Sequence, residues 1–233
     1  MKRDYFLLLV FITLTISCGK GKNEFEQEQA QIERNNLDKE KERIHTEKIE
    51  VGKSKLKIYL ENEVDRLNKL LEQEQNKLNE INAFQIGRSS ETKKKQLIEQ
   101  NGKIRSLTTN ISKIQNEIAL SNLHETYEFQ DTPIGVVNYL FEAARSWDFS
   151  KLRNLCDPYG ENDGDTRAMC LVEMQPRDIQ SQFVENFKNA RIMGEPKIYG
   201  ESAEIEIATG SSSNYLQKIQ LINRMGKWYL LSF

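Results

Sequence analysis

The chain has 233 residues, with 33 basic and 35 acidic side chains and a net charge of −2, a balance that removes the electrostatic case for a nucleic-acid binder. Charged residues make up 29% and the hydrophobic set 38%, which is lean for one compact core and points to a large solvated part. All four prolines follow residue 132, and residues 24–126 hold only three aromatics (Phe25, Tyr59, Phe84) against fourteen in 127–233, so the composition divides the chain near Thr132. The near-neutral charge holds on both sides of that division.

Met1-Lys2-Arg3 precedes a nearly unbroken apolar run from Tyr5 to Ile16, then Ser17-Cys18-Gly19-Lys20. A basic start, a short apolar stretch and a small residue before the cut describe a secretory signal over 1–17. The run falls short of the roughly 20 apolar residues that cross a bilayer. Leu14-Thr15-Ile16-Ser17-Cys18 resembles a bacterial lipobox, with Ser17 in place and Thr15 where leucine is usual. That resemblance implies acylation of Cys18 and a stable membrane anchor of several chains. Gly19, rather than aspartate, after the cysteine implies the outer membrane of a Gram-negative cell under enterobacterial-type sorting. A signal anchor, or a signal cut by the ordinary peptidase, is the alternative.

Residues 18–52 read as a charged tether, rich in Glu, Gln, Lys and Asn, whose sparse apolar residues bury little. From Leu60 the pattern becomes heptad: Leu60, Val64, Leu67, Leu71, Glu74, Leu78 and Ile81 alternate steps of four and three. A second stripe runs Leu97, Gln100, Ile104, Leu107, Ile111, Ile114 and Ile118 with the complementary alternation. Between them, Gly87-Arg88-Ser89-Ser90-Glu91 supplies a glycine to end one helix and serines to cap the next. Paired in opposite directions, the stripes keep a constant index sum from Leu60 with Ile118 to Ile81 with Leu97. This predicts an antiparallel coiled-coil hairpin over 53–126, each arm roughly 45 Å long. Glu74 and Gln100 fall on neighbouring rungs, each opposite an aliphatic residue, where a polar group sets register or meets a third helix. The hairpin reads either as a spacer or as an arm that docks another protein.

Over 131–233 the signals are helical first. Asp131-Thr132-Pro133 opens a helix with Val136, Val137, Leu140, Phe141 and Ala144 on one face. Phe149, Leu152 and Leu155 follow on a short helix capped by Asp148, then a loop over 157–165, a helical piece at 169–174, and a helix opened by Pro176 with Ile179, Phe183 and Phe187 on one side. The period then changes to strands over 203–207, 215–222 and 228–233, separated by turns at 210–214 and 223–226. The class is α+β, with helices on one face of a curved antiparallel sheet. Thr132-Pro133, Val136-Val137, Leu140, Glu142-Ala143-Ala144, Asp148-Phe149 and the closing Gly226-Lys227-Trp228-Tyr229-Leu230 resemble the cone-shaped nuclear transport factor 2-like superfamily, close to the small domains of unknown function that end many bacterial lipoproteins. That superfamily includes isomerases and cyclases as well as binding modules, so fold alone does not choose.

An enzyme of this shape needs a base aimed into an apolar cone and a donor for the oxyanion. Both histidines, His45 and His124, lie outside the domain, and its acids fall on the 157–165 loop or alternate outward at Glu204 and Glu206, where they read as solvated. Tyr139, Tyr199 and Tyr215 are the pocket-lining candidates. The 157–165 loop is glycine-permissive and acidic but departs from EF-hand spacing. No catalytic, metal or cofactor motif emerges. The expectation is a non-catalytic binding or scaffold module, with a membrane, another protein and a small apolar ligand as partners; an isomerase-like or hydrolytic enzyme, or a plain spacer, is the alternative. Cys156 and Cys170 bracket the acidic loop and are either bridged, with a stabilisation of about 3 kcal/mol in the chain-entropy model, or two buried free thiols.

Overall fold

The structure, a computed structural model, describes residues 4–83, 90–120 and 125–233, with side chains described over 25–83, 91–119 and 125–233. The expected turn at Gly87-Arg88-Ser89 lies outside the described residues, as does the side chain of Cys18. Two compact units result, Met1–Lys48 and Ile49–Phe233.

The first unit is the beginning of helix α1 (Asp4–Ala83). Its apolar residues Phe25, Ile32, Leu37 and Ile44 are exposed, and local ion pairs such as Arg43 with Glu40 and Glu47 decorate its surface. Such exposed pairs contribute little each. Residues 25–48 thus bury almost nothing, as their composition demands.

The second unit begins within α1 and includes α2 (Ser90–Leu120). Leu60 and Leu67 from α1 and Leu107, Ile111 and Ile114 from α2 are buried in one cluster, with Val64, Leu71 and Ile118 partly buried beside them. Leu78, Ile81, Leu97 and Ile104 are only half-buried. The difference has a cause: Leu171 and Met174, from the segment that follows α4, complete the cluster at its deep end. Two helices alone bury one seam, and a third apolar layer is what closes it. Gln100 is buried between the two helices' stripes. Its amide donates to both the backbone carbonyl and the carboxylate of Glu74, at 2.7 Å each, and Lys77 and Gln100 together hold that carboxyl below its usual range.

The α+β part comprises α3 (Pro133–Ser146), α4 (Gly164–Cys170), α5 (Arg177–Phe187), three single-turn 3-10 helices (Glu128–Asp131, Leu152–Leu155, Val172–Met174), and strands β1 (Arg191–Ile192), β2 (Lys197–Tyr199), β3 (Ser202–Thr209), β4 (Tyr215–Arg224) and β5 (Lys227–Ser232). Thr132 caps α3, its side chain accepting from the Gly135 amide, and Pro133 occupies the first helical position. Asp163 caps α4 in the same way through the Thr166 amide. The sheet is antiparallel throughout: β1 and β2 both pair with β3, which pairs with β4, which pairs with β5. Ala203, Ile205 and Ile207 alternate inward, register with Leu221, Ile219 and Gln217, and meet Val136, Leu140 and Phe141 of α3 in the main core. The expected α+β class therefore stands, with the helices packed on a small antiparallel sheet.

The helices α1 and α2 do not merely precede this domain; they are packed against it. Arg66 Nη2 donates to Gln175 Oε1 at 3.2 Å, and Arg153 pairs with the buried Glu117 of α2, whose carboxyl is pushed up by burial and partly drawn back by Arg153. Closest of all is Gly52: a Cβ there would stand 1.9 Å from the carbonyl oxygen of Pro158. Gly102, on α2, has nothing within 4 Å of the same position. Helix propensity favours alanine over glycine at both by about 1 kcal/mol, so the two sites separate propensity from contact. Gly102→Ala is expected to raise stability by up to that amount, and Gly52→Ala to lower it by about 1–3 kcal/mol through overpacking against backbone, both read by urea unfolding.

Candidate functional site

The α+β part leaves a groove of about 630 Å³ between α4, α5, the β3–β4 hairpin and the chain's last residue. Its floor is apolar and aromatic, built by Met169, Val172, Phe183, Phe187 and Phe233. The rings support one another: Phe183 and Phe187 lie 5.0 Å apart between centroids, and Phe187 and Phe233 5.3 Å in an edge-on arrangement. These positions follow from α5, whose residues 183, 184 and 187 recur on the face turned to the core.

The rim is polar. Thr209 Oγ1 donates to Gln217 Oε1 at 2.9 Å, and the Gly210 amide donates to the Asn186 carbonyl at 2.8 Å, fixing the hairpin to the end of α5. Among the lining residues the ionisable groups are Asp165, Glu185 and Tyr215, none hydrogen-bonded to another in an acid–base pair. The geometry suits an apolar or amphipathic group held by shape, with polar contacts at the mouth.

Of the three candidate tyrosines, the structure brings only Tyr215 to the groove. Tyr139 stacks on Phe129 with centroids 4.1 Å apart, and burial pushes its phenol up to about 12. Tyr199 lies exposed on β2.

Of the acids on the 157–165 loop, Glu161, Asp163 and Asp165 are exposed, as expected, and Asp157 alone departs from the solvated expectation. Asp157 is fully buried at its side chain, where Arg224 Nε donates to it at 3.0 Å; the same guanidinium pairs with Glu161 and lies 4.3 Å from the Tyr159 ring centroid. Asp163 caps α4 and accepts from the amide of Phe233 at 3.3 Å. The loop is an internal brace between β4, β5 and α4, because a buried carboxylate must find a cation and donors. Arg224, at the end of β4, stands 67 positions along the chain from Asp157. Among the described residues no group of three or more His, Cys, Asp or Glu side chains is placed to hold a metal ion, and no helix is long and apolar enough to cross a membrane. Cys156 and Cys170 are unbridged neighbours in the main core.

No family model matches this chain, and no curated protein sequence matches it. Among solved structures it is similar to a putative NTF2-like transpeptidase from Campylobacter jejuni, with 14% identity and a TM-score of 0.31, over 44% of this chain and 98% of that one. A TM-score of that size carries no assignment; the α+β class rests on the elements themselves.

Removing the cation from the brace would strand a buried carboxylate. Arg224→Met is expected to cost about 3–5 kcal/mol in chemical denaturation, and the double variant Arg224→Met with Asp157→Asn should recover part of that loss.

Proposed function

We propose that the protein is a non-catalytic, lipid-anchored extracytoplasmic module: a signal over 1–17, acyl chains on Cys18, a helical stem, an antiparallel coiled-coil hairpin, and a nuclear transport factor 2-like α+β domain that binds its partner or ligand in the groove. The observation that carries the binding reading is the groove's composition. Five apolar side chains form its floor, and its ionisable side chains stand at the mouth without an acid–base pair. A reaction of the isomerase or hydrolase type needs a base directed onto the apolar floor, and the lining offers Asp165, Glu185 and Tyr215 at the rim instead.

The hairpin is supported by the shared burial of Leu60, Leu67, Leu107, Ile111 and Ile114. Anchoring is supported by the order of basic, apolar and small residues ending at Cys18. The outer membrane is the proposed location.

Two measurements test these halves separately. N-phenyl-1-naphthylamine should show saturable fluorescence enhancement with the wild-type chain, abolished by Ile179→Asp at the exposed edge of the groove, a change at a side chain 38% exposed. Absence of saturable binding in the wild type rejects an apolar-ligand groove. Cells expressing the full chain and fed radioactive palmitate should label it, and Cys18→Ala should remove the label and release the protein from membranes; a wild type that stays anchored without label rejects the lipoprotein reading.

A further inference from the structure

The groove beside α5 carries formal charge of one sign. Asp165, in the first turn of α4, and Glu185, in the last turn of α5, line it, and no lysine, arginine or histidine does. Both acids are exposed, and among the described residues neither is taken up by an ion pair or a hydrogen bond. The cations of the elements that build the groove are engaged elsewhere. Arg167 of α4 donates to the Asn162 carbonyl at 3.2 Å and lies against the Tyr59 ring, and Arg177 of α5 stands 4.1 Å from the centroid of the Trp147 ring. On β4, Lys218 pairs with Glu204 and Arg224 with Asp157. The negative charge at the mouth therefore has no counter-ion from these elements.

The aromatic part of the lining selects in the same direction. Phe183, Phe187 and Phe233 lie on the floor and Tyr215 at the mouth. The Tyr215 ring packs so closely over Gly210, a residue at φ +86°, that a Cβ there would stand 2.9 Å from it. Aromatic faces attract cations through their quadrupole, and carboxylates attract them through charge, so an anion is disfavoured by both. The volume of about 630 Å³ lies within the range of small-molecule sites, roughly 300–1,000 Å³.

We propose that the groove takes a small cationic amphiphile, an apolar body carrying one ammonium group. The body lies on the phenylalanine floor, and the ammonium stays at the mouth with Asp165, Glu185 and the Tyr215 ring. This inference rests on the reading of the groove as an apolar-ligand site and adds the sign of the ligand's charge. Two exposed carboxylates that attract one charge and repel the other are expected to separate matched ligands by about tenfold at low salt, a gap that ions screen.

The test uses the full chain with N-phenyl-1-naphthylamine as reporter and octylamine, octanol and octanoate as competitors that share one apolar tail. At neutral pH and low salt, octylamine should displace the reporter at a concentration about tenfold below that of octanoate, with octanol between them. Raising the salt to about 1 M should bring the two charged competitors to within about threefold of each other. In the double variant Asp165→Asn with Glu185→Gln the octylamine-to-octanoate ratio should fall close to unity, a ratio that does not depend on the reporter's own affinity. Saturable reporter binding with octanoate equal to or better than octylamine overturns the cation preference and leaves the apolar groove standing; no saturable reporter binding in the wild type rejects the groove reading and this inference with it. A preference that salt does not narrow overturns recognition by charge without reliance on the variant, and one that persists in the folded double variant overturns the roles of Asp165 and Glu185.

Discussion

The backbone of α1 at Gly52 lies against the carbonyl of Pro158 more closely than any side chain would permit. That contact fixes α1 against the α+β part. It brings α1 over the loop that follows Cys156, lets Lys55 reach toward the carbonyls of Tyr159 and Gly160, and sets Leu60 and Leu67 above Leu171 and Met174. The apolar free energy here resides less in the two-helix seam than in the three-sided cluster that the α+β part completes. A two-helix pair leaves each stripe with one flank in water, whereas here the deep end is enclosed and the far end, at Leu78, Ile81, Leu97 and Ile104, stays half-exposed.

The polar residues in this arrangement follow from the same enclosure. Glu117 is buried on α2, and Arg153 of the Leu152–Leu155 turn is the cation that accompanies it. Further along, the buried Gln100 donates two hydrogen bonds to Glu74. Asp157 repeats the logic inside the domain, where Arg224 and the Glu161 amide meet both of its oxygens. Asp157, the buried acid of the α+β part, is thus a fixed brace.

How much of this was legible depended on whether the determinant was local. The heptad stripes, the Thr132-Pro133 cap, the alternation of Ala203, Ile205 and Ile207, and the turn at Met225-Gly226 are all short-range signals, and each corresponds to an element found in the structure. The short strands β1 and β2 were not legible, since two or three residues carry no period and pair only because β3 offers them an edge. The solvated reading of Asp157 failed because its partner stands far along the chain, and charge on a glycine-containing loop says nothing of what folds over it. Gly52 carries no local signal, because its role is set by Pro158, more than a hundred positions away. For the site, Tyr215 was recognisable as a pocket candidate and Phe183 and Phe187 only as one apolar helix face; that they share a groove with Phe233 follows from tertiary packing.

The central claim is that the helices from Ile49 and the α+β part form one cooperative body, held at Gly52 and at the Leu171 and Met174 cluster. Native-state amide hydrogen exchange on the full chain tests it most directly. The amides of residues 56–71 and 104–118 should be protected to within about tenfold of those in β3 and β4, as members of one unfolding unit. Exchange orders of magnitude faster in the two helices, with the sheet still protected, would show that they open independently and would contradict the account.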